Sequence, residues 1–408
     1  MMIRIDKFIV LMAILTGTGC GGSQVTAEFD SPQTVDQADT PEEGARPKPP
    51  PVRKEAKQLF KEAMQAYRPK AGPPKLERAI ELLKDAVDED PAFGAAYFNI
   101  GRIYEDKGDL KKAADYYQQA SSKGKNFGDG LANYGRLLLI QGKPDLAREQ
   151  FDEALRIDEY NSEALLNLAQ DDRVRRDFQS ARKRIRKALK GNEKNPKAYA
   201  VLARVYFDMG RYDLVKLVCI TGLKIDDSYA DLNNTLGLVH LKQDDVRSAL
   251  QAFTAAVKAE PNYSPSRLNL GAIAFNYRDY ETSLRHFDVV VKREPKNLIA
   301  ILSRAAALRG LERFDQAESG YRSVLKVQPN HSGAHFNLGV LYQEYLSKPE
   351  QALKEFEAVL SSDERSASLR QDVTNRIKAI RIEIQNKKEI EAMMKQQKQQ
   401  EAEKKPAK

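Results

Sequence analysis

The sequence predicts an all-α protein, a right-handed superhelical solenoid of about nine helix-turn-helix units with a C-terminal capping helix. Three observations predict it. Four residue series recur with a period of 34 over most of the chain, the apolar residues inside each period are spaced for helices, and turn formers fall where each helix must end.

The first series is small: Ala79, Ala113, Ala147, Ala181, Val215, Ala249, Ser283 and Ala317. The second is smaller still: Gly101, Gly135, Ala169, Ala203, Gly237, Gly271, Ala305 and Gly339. A bulky series runs Leu83, Tyr117, Phe151, Ile185, Cys219, Phe253, Phe287 and Tyr321, and a fourth runs Ala86, Ala120, Ala154, Ala188, Gly222, Ala256, Val290 and Val324. Within one period, Tyr97, Ile100, Gly101 and Tyr104 share a helical face, and Gly108 stands where that helix stops. Ala113, Tyr117 and Ala120 give the second helix its own inward stripe. Pro91, Pro261, Pro295 and Pro329 mark handovers between units; Lys125, Glu159, Glu193 and Asp227 take that place in units two to five.

The elements follow in order. Arg4 and Lys7 precede the apolar run Phe8–Leu15, and Thr16-Gly17-Thr18-Gly19 leads to Cys20, so residues 1–19 read as a signal peptide. The small residues before Cys20 resemble a bacterial lipoprotein signal, which implies lipidation of Cys20. Gly17 replaces the usual Leu of that signal; the alternative is ordinary cleavage after Val25-Thr26-Ala27, releasing a soluble periplasmic protein. Residues 20–52, ending in Pro47-Lys48-Pro49-Pro50-Pro51, are too polar and Pro-rich to pack and read as a disordered tether of about 30 Å. The repeats occupy 53–364. The first carries an insertion at Ala71-Gly72-Pro73-Pro74, and the ninth carries one extra residue, which moves its small position to Ala352. Leu369, Val373, Ile377, Ile380 and Ile384 make one stripe on a capping helix over 365–388, and 389–408 reads as a charged, disordered tail.

This small-large arrangement at a 34-residue period resembles the tetratricopeptide repeat. The resemblance implies a protein-binding scaffold whose first helices line a concave face. The mature body is similar to the tetratricopeptide lipoproteins of motility machines, in plan most of all to the gliding-motility repeat lipoprotein of myxobacteria. That implies a place at the outer membrane on its periplasmic side, with envelope proteins as partners and the lipid anchor as the membrane contact. Gly21 after Cys20, where Asp would signal inner-membrane retention in enterobacteria, agrees with outer-membrane sorting. A pilotin that assembles a secretin or type IV pilus, and an adaptor for periplasmic proteases or cell-wall enzymes, are the rival readings.

Composition narrows the chemistry. The 408 residues are 41% hydrophobic and 30% charged, with no Trp, and the net charge of +8 is spread through mixed-sign sequence. No Gly-x-Ser-x-Gly, Walker-type loop or paired-Cys motif occurs, so the chain is read as no enzyme, with no cofactor and no small-molecule substrate. His331 and His335 have helical metal-ligand spacing, but no Glu or Cys nearby in sequence completes a set and His335 occupies a packing position, so no metal is expected. Cys219 falls on an inward position and reads as a small buried hydrophobe.

Binding surface is what such repeats offer. The sixth positions of the first helices read Asn99, Asn133, Asn167, Val201, Thr235, Asn269, Ser303 and Asn337. Two readings stand: the Asn side chains bind an extended peptide, or they bond within their own repeat. The three-repeat Lys/Asn/Arg clamp for chaperone tails is absent. Phe98, Leu139, Ile140, Leu166, Phe207, Leu238, Leu241, Leu268, Phe275, Leu302 and Phe336 are expected to make the same face an apolar groove for a protein. The densest basic cluster includes Arg182, Lys183, Arg186 and Lys187 on the opposite, convex side. Without stacked aromatics it does not suggest nucleic acid. A solvated face is the favoured reading, with an anionic partner or lipid headgroup as the alternative.

Overall fold

The computed structural model describes residues 51–69, 72–124, 127–362 and 366–403. Cys20, the signal segment and all but the last two residues of the tether lie outside the described residues.

Short polar turns cut the repeating stripe into helices of 9 to 14 residues, and these follow one another as the period requires. In the first half they are α1 (Lys54–Tyr67), α2 (Leu76–Glu89), α3 (Gly94–Asp106), α4 (Leu110–Lys123), α5 (Gly128–Ile140), α6 (Pro144–Ile157), α7 (Ser162–Val174), α8 (Phe178–Gly191), α9 (Pro196–Asp208) and α10 (Tyr212–Leu223). They continue as α11 (Ala230–Lys242), α12 (Val246–Ala259), α13 (Ser264–Asn276), α14 (Tyr280–Arg293), α15 (Leu298–Gly310), α16 (Phe314–Val327), α17 (Ser332–Val340), α18 (Pro349–Ser361) and α19 (Ala367–Glu403). The first eighteen follow one another as nine helix-turn-helix repeats among the described residues. By its contacts the chain divides into two compact units, with the boundary in sequence after Val239.

In the unit before residue 240, the pairs from α3 to α10 close on a small-large contact. A Cβ on Gly101 would lie 2.7 Å from the Tyr117 ring, and one on Gly135 would lie 2.7 Å from Phe151. Where the bulky position shrinks to Ile185 or Cys219, the glycine becomes Ala169 or Ala203, so the two series conserve volume together. Cys219 is buried, and burial pushes its thiol up to about 12, which makes it the packing residue its position implies.

The unit from residue 240 repeats the device. A Cβ on Gly271 would lie 2.6 Å from Phe287, and one on Gly339 the same distance from Phe356. The α15–α16 pair departs from the pattern because Ala305 faces a series that there holds Tyr321. The missing space comes from Gly320, whose added Cβ would meet that of Ala305 at 2.8 Å.

The extra residue of the ninth repeat is absorbed in a π-helical turn, Leu341–Tyr345, that follows α17 directly. The amide of Leu346 reaches back to the Leu341 carbonyl at 3.1 Å. A wide turn of this kind is how a helix takes up a single inserted residue without losing register before it.

Val373, Ile377 and Ile380 of α19 are buried in the cluster that contains Phe336, Phe356 and Val359, with Leu369 and Ile384 packed at its margin. That is the capping stripe expected over 365–388. The expected disordered tail is corrected: α19 continues without a break to Glu403.

Candidate protein-binding face

The first helices of residues 94–239 carry polar side chains at some of their second, ninth, twelfth and thirteenth positions, and successive repeats bring several of these within reach of one another. Arg136 donates to both oxygens of Glu105, at 2.6 and 2.8 Å, from one repeat to the preceding one. Its Nε also lies 3.8 Å from Glu163 in the following repeat. Glu163 accepts from Lys197, one repeat further on, at 2.6 Å. In parallel, Arg204 reaches back to Gln170 at 3.4 Å and forward to the carboxylate of Asp231. Arg173 pairs with Asp208 beside them. Five successive first helices are thereby linked by ion pairs and hydrogen bonds that cross every repeat boundary.

The ladder changes the properties of its members. Burial pushes the Glu105 carboxyl upward, but hydrogen bonds from Arg136 and from the Tyr117 hydroxyl outweigh it and hold the group below the usual range. Burial and the same Glu105 contact push the Tyr117 hydroxyl well above its ordinary value. Cations and carboxylates alternate, so the face offers directional partners of both signs rather than a single field.

The Asn series takes the local reading. Asn99 donates to the Ala95 carbonyl at 2.8 Å, Asn133 to Asp129 at 2.9 Å, Asn167 to Glu163 at 2.8 Å and Asn337 to Gly333 at 2.7 Å. Thr235 does the same toward Asp231 at 2.8 Å. Each bond runs four residues back within its own helix, so the Nδ2 donors are engaged. Asn269 is buried as well.

The apolar groove needs correction residue by residue. Phe275 and Phe336 are buried, Phe275 packing edge-on to Tyr280 and Phe336 to Phe356, so neither is a surface for a partner; Leu166 is buried too. Sequence periodicity placed them on the first-helix face but could not show that their neighbours close over them. Phe98, Phe207 and Leu241 are half-buried, with Phe98 held against Tyr117 and Phe127 and Phe207 against Tyr212. What stands free is a step at the helix ends: Leu139, Ile140 at 59% exposure and Val174 at 72%. Val174 went unremarked in the sequence, although it occupies the position of Ile140 one repeat later.

On the opposite side, Ala181, Ile185 and Ala188 of α8 are buried, which turns Lys183 and Arg186 to solvent and leaves Arg182 and Lys187 partly exposed. Lys187 pairs with Glu159 at 2.9 Å and lies over the Tyr160 ring. Elsewhere in the cluster, Arg184 binds Asp172 at 2.8 Å and Arg175 binds Asp171 at 3.1 Å. Much of its charge is therefore answered locally.

The histidines have structural employment. His331 caps α17, its Nδ1 accepting from the Ala334 amide at 3.2 Å. His335 lies between Glu355, at 2.7 Å, and the Pro329 carbonyl, at 2.8 Å. Among the described residues no group of three or more His, Cys, Asp or Glu side chains is placed to hold a metal.

A search of curated proteins finds no match. Among solved structures, human IFIT1 in a dimer with m7Gppp-AAAA is 16% identical, covering 82% of this chain and 87% of that one with a TM-score of 0.53. A monomeric IFIT1 mutant with the same ligand is also 16% identical, covering 77% of this chain and 80% of that one at a TM-score of 0.55. Pseudomonas aeruginosa pilF is 20% identical and covers 54% of this chain and 97% of its own at 0.43. These likenesses concern the fold alone. Tetratricopeptide-repeat family models match residues 75–126, 166–214, 234–297 and 302–344, and a second such model matches 129–161. With more than half of its length matched and its helices paired on the 34-residue period, the chain belongs to the tetratricopeptide-repeat family, whose fold serves as a protein–protein interaction scaffold.

Proposed function

We propose that this protein is a lipid-anchored scaffold that holds envelope proteins at the periplasmic side of the outer membrane, as part of a cell-envelope motility machine. The observation that carries the scaffold reading is the first-helix face of residues 94–239, where an alternating ion-pair ladder adjoins an exposed apolar step at Leu139, Ile140 and Val174. Apolar side chains beside satisfiable polar groups are the make-up of a protein interface. The RNA ligands of IFIT1 belong to that protein; here the ladder's cations Arg136, Lys197 and Arg204 are matched by carboxylates, which disfavours a polyanion. The anchor rests on the sequence around Cys20, and the motility assignment rests on resemblance in overall plan.

Two multiple variants test the binding face. One changes Leu139, Ile140 and Val174 to Ser, and the other changes Arg182, Arg186 and Lys187 to Glu. Circular dichroism establishes first that both fold, and co-purification from detergent-solubilised envelopes then reports partners. The first variant is expected to lose its main partners and the second to keep them at physiological salt; the reverse result sinks the first-helix face. Motor components among the partners support the motility role, whereas secretin subunits or cell-wall enzymes replace it with pilotin or adaptor function. Cys20→Ser tests the anchor: equal membrane retention of variant and wild type, with no acyl mass on the latter, removes it.

A further inference from the structure

The part of α19 that projects beyond the cap poses a separate question. Its core-facing stripe ends at Ile384, and from Gln385 to Gln397 every residue is exposed. A helix without packing is marginal in water, so a segment of this length calls for a partner surface. It also carries a second stripe on the side away from the core. Ala379, Ile382, Asn386, Ile390 and Met393 follow one another at spacings of three, four, four and three, with Ile382 62%, Ile390 54% and Met393 56% exposed. Intervals averaging 3.5 residues keep the stripe on one face of a helix that pairs with another helix.

We propose that this stripe is a self-association surface and that its occupant is α19 of a second copy, packed antiparallel about Asn386. The stripe is self-complementary in that arrangement. With the two Asn386 side chains at the centre, Ile382 of each copy meets Ile390 of the other, and small Ala379 meets large Met393. A buried polar pair of this kind fixes register at some cost in stability. The flanking charges agree: Glu383 of one copy falls beside Lys387 of the other, twice per dimer, and neither makes an ion pair within its own chain among the described residues. A membrane surface fits less well. Residues 385–397 hold Lys387, Lys388 and Lys395 against Glu389 and Glu391, a nearly balanced set without the cationic face that draws a helix to anionic lipid. A few aliphatic side chains bury little area, so the dimer is weak and depends on concentration.

Sedimentation velocity of the full chain tests this, in a Cys20→Ser background that removes the proposed anchor. Over two decades of concentration the parent should pass from monomer to dimer. Ile382→Glu with Ile390→Glu should weaken dimerisation at least ~10-fold, and Asn386→Leu should tighten it. Glu383→Lys and Lys387→Glu should each weaken it alone, while an equimolar mixture of the two variants restores it, since the mixed dimer pairs opposite charges. A parent that stays monomeric throughout, or Ile variants that associate like the parent, overturns the proposal. So does flotation with phosphatidylglycerol vesicles that the Ile variants abolish while the parent remains monomeric in solution, a result that assigns the stripe to lipid.

Discussion

At the scale of single residues, Ser283 stands where most repeats carry alanine, and its hydroxyl is buried without a hydrogen-bond partner. An unpaired hydroxyl loses its hydration and gains nothing in exchange, whereas a methyl group in the same space has nothing to lose. Ser283→Ala should therefore stabilise the protein by about 1 kcal/mol, read as a raised midpoint in urea at unchanged slope. A lowered midpoint would mean that the hydroxyl is satisfied in solution. Asp172 shows the opposite relation between position and chemistry. It occupies the place of Tyr104 and Tyr206, is buried, and is held by Arg148 at 3.2 Å and Arg184 at 2.8 Å. The 34-residue register located Asp172 in sequence, but its two arginines come from a neighbouring repeat and a facing helix, and no periodic signal announces such a pair. The same limit hid the ladder through Arg136 and Arg204, because ion pairs need not recur to be made. The Asn series was visible for the converse reason, recurring in register while Asn99, Asn133, Asn167 and Asn337 bond back into their own helices.

At the scale of elements, the turn that ends each first helix places one residue at positive φ, and the series is periodic too: Gly108, Gly142, Arg176, Gly210, Asp244, Arg278, Glu312 and then Ser347. The last member is displaced by one, which locates the inserted residue between Gly339 and Ser347, where the π-helical turn lies. The insertion was legible in sequence from the shift to Ala352; its form was not, because one extra residue can as well lengthen a loop. Likewise the capping stripe was legible to Ile384, but the polar residues beyond it do not distinguish a helix from a disordered tail. Three of the eight positions use glycine, the residue that reaches this conformation without steric cost. Glu312 is exposed, so little besides the backbone opposes its replacement. Glu312→Gly should relieve about 1–2 kcal/mol of left-handed strain and give back part of it in unfolded-chain entropy, a net gain of about 0.5–1 kcal/mol. Thermal melts of the variant and of Glu312→Ala bracket the effect: Gly should exceed wild type and Ala should not.

At the scale of the whole molecule, three histidines have shifted titrations, and they act in opposite directions. Burial, reinforced by Arg267 and Arg285, pushes the His286 imidazole down to about 4, and the Arg267 guanidinium lies 3.4 Å from its Nδ1. Burial also lowers His331, whose Nδ1 must stay unprotonated to cap α17. His335 is raised, chiefly by its hydrogen bond to Glu355. An unfolded imidazole titrates near 6.5, so between about pH 6.5 and 4 the unfolded chain binds a proton at His286 that the fold refuses, and stability falls as pH falls. His335 opposes this: its contribution is fully present below about 6.5 and is lost as pH rises through its elevated folded value. Two residues outvote one, and the melting temperature should decline from pH 7 to pH 4 before the Glu105 carboxyl, held low, begins to matter. His286→Gln, whose amide oxygen can still accept from Arg267, should flatten that decline. His335→Gln should steepen it, because it removes a histidine whose protonation the fold favours. Melting curves of both variants and of wild type, taken at half-unit intervals of pH, measure the two slopes. A His286→Gln curve parallel to that of wild type would show that His286 takes up its proton without opposition from Arg267 and Arg285.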